Sequence, residues 1–412
     1  MTKDNANLFP SIPGGVCAPR GFRSHGVACG IKIPGSTRLD LALIASDFPC
    51  TAGGVFTQNR VCAAPVQVCR KHLAASATHR AILANSGNAN ACTGERGMED
   101  ARRMARMAAS ALGLREEEVF VASTGIIGMP LPFERLEAQT SALTAGLQSE
   151  HSDSAAQAIM TSDTKPKQCS IQVDSIRIGG IAKGAGMICP DMATMLCFIT
   201  TDAAISKADL QTATRIAADR TFNRITIDGD TSTNDTVIVL ANGTAGPVDL
   251  ARFQAGLNQV MLDLAQHIVR DGERVTKFVE VRVEGARSQA DALRVAQAVA
   301  NSNLVKSSWN GEDPNWGRVI HAVGYAGAEL DPSKIDIYFD DLPAAIGGLS
   351  APTPLDDLVE VARRAEFCIR IDLHLGDGCE TVYSSDLSPE YVDFNRSEYA
   401  ASLARQRQKG LA

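Results

Sequence analysis

Residues 183–202, KGAGMICPDMATMLCFITTD, run from a glycine-bearing approach into a β-branched, apolar stretch, and this junction constrains the chain more than any other segment. Gly184 and Gly186 reach backbone conformations closed to other residues. Pro190 stiffens the approach, and Ala193 leaves its carbonyl little shielded. Met195 to Thr200 then reads as a buried strand that anchors what precedes it. Breaking the Ala193–Thr194 bond would give Thr194 a free α-amine beside its own hydroxyl, a nucleophile carrying its own base. Such an amine has a pKa of roughly 7.7–8.0, so a sizeable minority is neutral just above neutral pH. The segment alone supports a plainer reading equally well, in which Thr194 is one more strand threonine.

With 412 residues, the chain exceeds the size at which one simple core stops growing, so two lobes or a layered sandwich are expected. Apolar content of 45%, charged content of 21% and a net charge of −7 describe an ordinary globular protein. No run of Lys or Arg is dense enough to track a phosphate backbone, which argues against nucleic acid as a partner. Lys3, Asp4 and Asn5 stand where a signal peptide needs an apolar core, and no apolar stretch is long enough to span a bilayer. A cytoplasmic protein without membrane contact is expected. The eleven cysteines are scattered and form no C-x-x-C pair, so reduced thiols are expected rather than a zinc or redox framework.

Short apolar runs between Cys29 and Val68 (Leu41–Ile44, Gly54–Phe56, Ala64–Val68) alternate with Gly, Pro and Asn, which predicts strands and turns. Ala81–Leu83 reads as a buried strand, followed by a polar loop over Asn85–Gly94. Helices are predicted at Met98–Leu112, Leu131–Leu147, Lys207–Arg220, Leu250–Arg270 and Gln289–Ala300. Strands are predicted at Val119–Ala122, Val237–Leu240, Val279–Val283, Ile335–Phe339 and Cys368–Leu373, and an aromatic loop at Trp309–Arg318. This mixture favours an α+β layered fold over a doubly wound one. Leu403–Ala412 reads as a frayed, basic tail.

Other chemistries find less support. There is no G-x-S-x-G elbow and no H-x-x-x-H spacing among the seven histidines. The run Asp228-Gly-Asp-Thr-Ser-Thr-Asn-Asp235 lacks the glycine and glutamate of an EF-hand loop, and reads as a polar turn before the strand at Val237. Lys183-Gly-Ala-Gly186 lacks P-loop spacing. Ser123-Thr-Gly-Ile-Ile-Gly128, after a predicted strand, offers hydroxyls and amides to a developing oxyanion, although Ser-Thr-Gly is also a common turn.

With these segments in place, the chain resembles the glutamate N-acetyltransferase, or ornithine acetyltransferase, family of arginine biosynthesis. The likeness runs through GVFTQNRVCAAPV (Gly54–Val66), NSGNANACTG (Asn85–Gly94), STGIIG (Ser123–Gly128), TSDTKPK (Thr161–Lys167) and the junction itself. It continues in FNRITIDGDTSTNDT (Phe222–Thr236), GEDPNWGR (Gly311–Arg318) and SDLSPEYV (Ser385–Val392). The resemblance implies self-cleavage between Ala193 and Thr194 into an α fragment (residues 1–193) and a β fragment (residues 194–412). Together they would form β-sheets packed between helices, and two such pairs would associate as a heterotetramer.

The resemblance also implies Thr194 as nucleophile, and the Thr124 hydroxyl with the Gly125 amide as oxyanion donors. Substrate contacts would fall at Thr161, Lys183, Thr194, Glu273 and Asn395. The implied reaction is ping-pong: Thr194 takes acetyl from N2-acetylornithine and passes it to glutamate, with no metal or cofactor. Some members also accept acetyl-CoA. Two departures bear on substrate identity. Ala400 and Ala401 occupy the place where the family carries a terminal hydroxyl, and Met129 stands where an acidic residue is common. A related transferase with another amine, or an amidase built on the same nucleophile, remains open on this ground.

Overall fold

The computed structural model describes residues 8–150, 152–189 and 195–397. Ala193, Thr194 and the tail from Ala400 onward lie outside the described residues. The chain divides into two compact units. One comprises the chain up to Asn223 together with Asp230–Ile268; the other comprises Arg224–Gly229 and the chain from Val269 on.

The larger unit holds strands β1 (Phe22–Val27), β2 (Leu41–Phe56), β3 (His79–Asn88), β4 (Val119–Ile126), β5 (Lys167–Val173), β6 (Ile176–Lys183), β7 (Leu196–Ala204) and β8 (Thr236–Pro247). They form one sheet in the order β4-β3-β2-β8-β7-β6-β5, with β1 also paired to β2. The long strand β2 serves two halves of the sheet: Leu41–Ala45 pairs with β1 and β3, whereas Thr51–Phe56 pairs with β8. Its register shifts between Ala45 and Cys50, where Asp47, Phe48 and Pro49 are exposed. Proline has no N–H for the ladder and marks such an irregularity. Eight consecutive residues of β7 are buried, the continuous pattern of a strand covered on both faces.

Helices α1 (Ala64–Ala75), α2 (Gly94–Leu112), α3 (Phe133–Ala138), α4 (Thr140–Ala145), α5 (Asp153–Ala158) and α6 (Lys207–Arg220) belong to this unit, and α7 (Leu250–Arg270) ends at its edge. Helices α1 and α2 pack on β4, α5 on β1 and β2, and α6 on β2 and β8. Helix α2 buries Ala101, Met104, Ala105 and Ala108 on one stripe and stops at Gly113, whose φ of 67° suits glycine. Ser206 caps α6 by accepting from the Asp209 amide, an interaction worth about 1 kcal/mol.

The smaller unit has β9 (Phe278–Ala286), β10 (Asp336–Phe339), β11 (Leu342–Ile346), β12 (Leu349–Ser350), β13 (Glu366–Asp372) and β14 (Gly378–Ser385), in the order β12-β11-β10-β13-β9-β14. Only β9 and β13 pair in parallel among these strands. Phe367, Ile369 and Ile371 alternate inward along β13, beneath a cover that includes α8 (Gln289–Ala300), α9 (Asn303–Asn310), α10 (Trp316–Gly324) and α11 (Leu355–Ala362).

The expected α+β architecture, sheets packed with helices, is therefore found, with several local corrections. Ala64–Val68 is the start of α1 rather than a strand, since Pro65 sits in the first helical turn, where its missing N–H costs nothing. The helix expected over Leu131–Leu147 is two six-residue pieces that meet at Gln139, whose φ of −100° and ψ of 0° leave helical geometry. Strand β3 carries on to Asn88 where a loop was expected, because its polar side chains find buried partners. The loop expected over Trp309–Arg318 is confined to residues 311–315, since Trp309 and Asn310 end α9, Trp316 begins α10, and Trp309 is wholly in the core.

Candidate active site

Parallel pairing of β3 and β4 lays Asn85–Asn88 alongside Ser123–Ile126. The Ser123 hydroxyl donates to Asn85 Oδ1 at 2.6 Å, and Asn85 Nδ2 donates to the Asn88 carbonyl at 2.9 Å. Asn234 Nδ2 donates to the carbonyls of Ser123 and Ala89 at 2.8 and 2.6 Å. Gly125 has φ 132°, and a Cβ there would lie 2.4 Å from the Gly87 carbonyl carbon. Only glycine fits so close an approach. The NSGN and STND segments thus frame the Thr124–Gly125 backbone, a role the sequence did not disclose.

Lys183, at the end of β6, donates from Nζ to Thr124 Oγ1 at 3.2 Å, and both residues are buried. Asp163 stands behind this pair. It accepts from Lys167 Nζ at 2.6 Å, from the Gly184 amide at 2.8 Å and from the Thr161 amide at 2.8 Å. Burial opposes its charge, but the ammonium groups of Lys167 and Lys183 and these hydrogen bonds hold the carboxyl well below the usual carboxylate range. Thr161, Lys183, Thr124 and Gly125 are therefore gathered in one unit. Asp163 and Lys167 were not singled out from the sequence; their i,i+4 spacing within TSDTKPK was the available signal.

The start of β7 lies between two strands. Leu196 pairs with Lys183 on one side and with Thr236 on the other. Thr194 and Ala193 lie outside the described residues, but the residues that follow them are fixed beside Lys183.

Glu273 and Asn395 belong to the smaller unit, where Asn395 Nδ2 donates to Glu273 Oε2 at 3.1 Å. Asp386, in the SDLSPEYV segment, organises the Glu273 loop. It accepts from the Thr276 and Lys277 amides at 2.8 and 3.0 Å and from the Thr276 hydroxyl at 2.6 Å. The Ser388 hydroxyl donates to the Arg274 carbonyl at 2.7 Å.

Cysteine and histidine offer poorer nucleophiles or bases. Burial pushes the Cys29, Cys50, Cys69 and Cys368 thiols up to about 12, leaving almost no thiolate near neutral pH. His79 is buried, stacked on Phe120 and lowered to about 4, chiefly by desolvation. No group of three or more metal-ligating side chains gathers among the described residues, and no described helix is long and apolar enough to cross a membrane.

Comparison with known proteins covers nearly the whole chain. Residues 23–401 match the ArgJ family. An arginine biosynthesis bifunctional protein ArgJ of Geobacter sulfurreducens is 51% identical over 388 residues, spanning 91% of this chain and 98% of the relative. The protein of the same name from Symbiobacterium thermophilum is 48% identical over 94% of this chain and 98% of its own. A crystal structure of arginine biosynthesis bifunctional protein ArgJ from Bacillus halodurans aligns at 37% identity and a TM-score of 0.47, covering 48% of this chain and 96% of that one.

Proposed function

The chain belongs to the ArgJ family, and from that premise we propose that it is an acetyltransferase moving acetyl from N2-acetylornithine to glutamate. Self-cleavage between Ala193 and Thr194 yields the α fragment, residues 1–193, and the β fragment, residues 194–412. The antiparallel pairing of β6 with β7 supports the two fragments remaining in one body, because their sheet is shared. The enzyme is cytoplasmic and assembles as a heterotetramer of two α and two β fragments.

Thr194 Oγ attacks the acetamide carbonyl, with the Thr194 amine accepting the hydroxyl proton. The Thr124 hydroxyl and Gly125 amide donate to the oxyanion. The C–N bond breaks, ornithine leaves, and the acetyl group stays as an ester on Thr194. Glutamate's amine then attacks that ester. Thr161, Lys183, Glu273 and Asn395 are the assigned substrate contacts, by charge pairing and hydrogen bonding to amino-acid ends. Acetyl-CoA serves as an additional donor, in keeping with the bifunctional relatives.

One observation carries the reading: the Lys183 ammonium donates to Thr124 while the Lys183 backbone pairs with Leu196, so one residue joins the oxyanion donor to the strand after the junction. Intact-mass measurement tests it. Two polypeptides are expected, the second beginning with Thr194 and gaining one acetyl group from N2-acetylornithine, which glutamate removes. A single uncut chain that turns over substrate would overturn the mechanism. Ala400 and Ala401 favour a second reading, in which another amine replaces glutamate. An acceptor screen separates the two, since no discharge by glutamate alongside turnover with another amine selects the second.

A further inference from the structure

Thr161 lies between α5 and β5, in neither helix nor strand, and side chains take both of its main-chain groups. Its amide donates to Asp163 Oδ2 at 2.8 Å, and its carbonyl accepts from Arg38 Nη2 at 2.5 Å. Arg38 stands 123 residues away along the chain, in the segment before β2, where its own amide donates to Ser36 Oγ at 3.1 Å. Its guanidinium is exposed, and the Thr161 carbonyl is the one acceptor it meets among the described residues. An arginine carries five N–H donors in a planar fork. One nitrogen therefore fixes the fork beside Thr161 and the other donors stay available.

Arg38 also lines a cleft with Lys32, Ser36, Asp40 and Ser86. The acid in this cleft is occupied by its own loop, since the two Asp40 carboxyl oxygens accept from the Cys29 and Ile31 amides, each at 2.6 Å. Lys32 and Arg38 thus set two cations against one carboxylate that already has partners. The cleft adjoins the oxyanion segment. A Cβ on Gly87 would lie 2.6 Å from Lys32 Cβ, and one on Gly125 would meet the Gly87 carbonyl carbon, so Lys32, Gly87 and Gly125 stack in that order.

We propose that Arg38, with Lys32 beside it, is the specificity-determining contact for glutamate and binds its side-chain carboxylate. This rests on the transfer reading given above. N2-acetylornithine and glutamate react at the same α-nitrogen and share an α-carboxylate. They differ at the tip, which is an ammonium in one and a carboxylate in the other. Lys183, touching the oxyanion donor Thr124, suits the carboxylate bonded to the same carbon as the reacting nitrogen. Glutamate's second carboxylate lies about 4 Å from that carbon. Lys167 is buried against Asp163, so Arg38 is the accessible cation met next, through Gly184, Asp163 and Thr161. A guanidinium takes a carboxylate through two parallel N–H···O bonds. Exposed on a long stem, it is screened by water and gives way when ornithine's ammonium occupies the site.

The experiment measures kcat/KM for N2-acetylornithine and for glutamate with the full-length, cleaved enzyme. In a ping-pong reaction each value belongs to one half of the cycle, so their ratio isolates the acceptor. Arg38→Gln can still donate to the Thr161 carbonyl but has no charge. It should lower the glutamate value at least about tenfold more than the N2-acetylornithine value, as loss of a charge-assisted bond requires. Arg38→Lys should recover part of the ratio, because the charge returns without the fork. Lys32→Gln should shift the ratio the same way by a smaller factor. Equal falls for both substrates would make Arg38 a support for Thr161 or a contact for the shared α-carboxylate, and would overturn the proposal. A loss confined to acetyl-CoA would assign the cleft to that donor's phosphates, with the same consequence. Wild-type enzyme acetylated by N2-acetylornithine but not discharged by glutamate overturns the acceptor reading and this inference together. A wild-type ratio in Arg38→Gln overturns only the inference.

Discussion

Lys183 Nζ donates to Thr124 Oγ1 at 3.2 Å, and this contact settles which way the threonine's own proton is used. An ammonium has only donors, so the hydroxyl oxygen accepts from it and keeps its proton for another oxygen. The positive charge also polarises the hydroxyl and strengthens that outgoing bond. A reacting carbonyl oxygen that becomes an oxyanion is the group such a donor serves best.

Removing that donor gives the first prediction. Thr124→Ala should slow acetyl transfer from N2-acetylornithine to glutamate by about 10²–10³-fold in kcat. Thr124→Ser, which keeps the hydroxyl, should stay much nearer wild type. Steady-state rates of the two purified variants decide it, and a near-normal Ala variant would remove Thr124 from the mechanism.

Asp163→Asn tests the carboxyl behind Lys183. Asp163 and Lys167 are both inaccessible to solvent, and breaking a buried pair by removing one partner costs about 3–5 kcal/mol. Urea titration at neutral pH should register that loss. The depressed carboxyl also fixes a pH dependence. Its stabilisation is complete above the unfolded-state pKa of roughly 3.9 and drains away as pH falls below it toward the lower folded value. Wild type should therefore lose stability steeply in that acid range, and the Asn variant less so; parallel acid limbs would contradict the assignment.

Much of this was written in the chain and some was not. The helices at Lys207–Arg220, Leu250–Arg270 and Gln289–Ala300 were legible to the residue, because a 3.6-residue period with clear end signals needs no tertiary context. Ala64–Val68 misled, since a short apolar run reads alike in helix and strand. Asn85–Asn88 hid as a strand because its polar side chains are satisfied by distant residues such as Ser123. The acids show the limit most plainly. Asp163 and Asp235 look alike in the sequence, yet a direct lysine ion pair and backbone hydrogen bonds depress one while burial raises the other. Lys183 bears on both; the contrast exists only once the fold sets the Lys167 ammonium 2.6 Å from Asp163 alone.

Gly125→Ala should be disproportionately harmful. The new methyl would lie 2.4 Å from the Gly87 carbonyl carbon and 2.6 Å from the Asn88 nitrogen, on a backbone with φ 132°. Backbone cannot swing aside as a long side chain can, so the strand pair must part and the amide must move. A loss of at least about 10²-fold in transfer is expected, comparable to loss of an oxyanion donor. An active Ala variant would mean that this amide does not face the reacting carbonyl.

Asn395→Ala should be mild by comparison. Its bond to Glu273 is exposed, and such a bond is worth about 0.5–1.5 kcal/mol. A rise in KM of up to roughly tenfold for one amino acid, with kcat little changed, is the expected outcome. A large fall in kcat instead would give Asn395 a part in the chemistry.

Asp235 carries a consequence for stability opposite to that of Asp163. Its folded-state carboxyl is raised, so between the unfolded pKa of roughly 3.9 and the higher folded value the native state binds a proton that the unfolded chain has released. Stability therefore falls as pH rises through that window. Asparagine has no proton to lose, so Asp235→Asn should remove this slope. The comparison belongs in the Thr194→Ala background, where neither chain is cut and only the carboxyl differs. At mildly alkaline pH the double variant should melt higher than Thr194→Ala alone, and the gap should close toward pH 4. A residue whose replacement strengthens the fold is retained for something other than stability. A double variant that melts lower at every pH would instead make Asp235 a part of the scaffold.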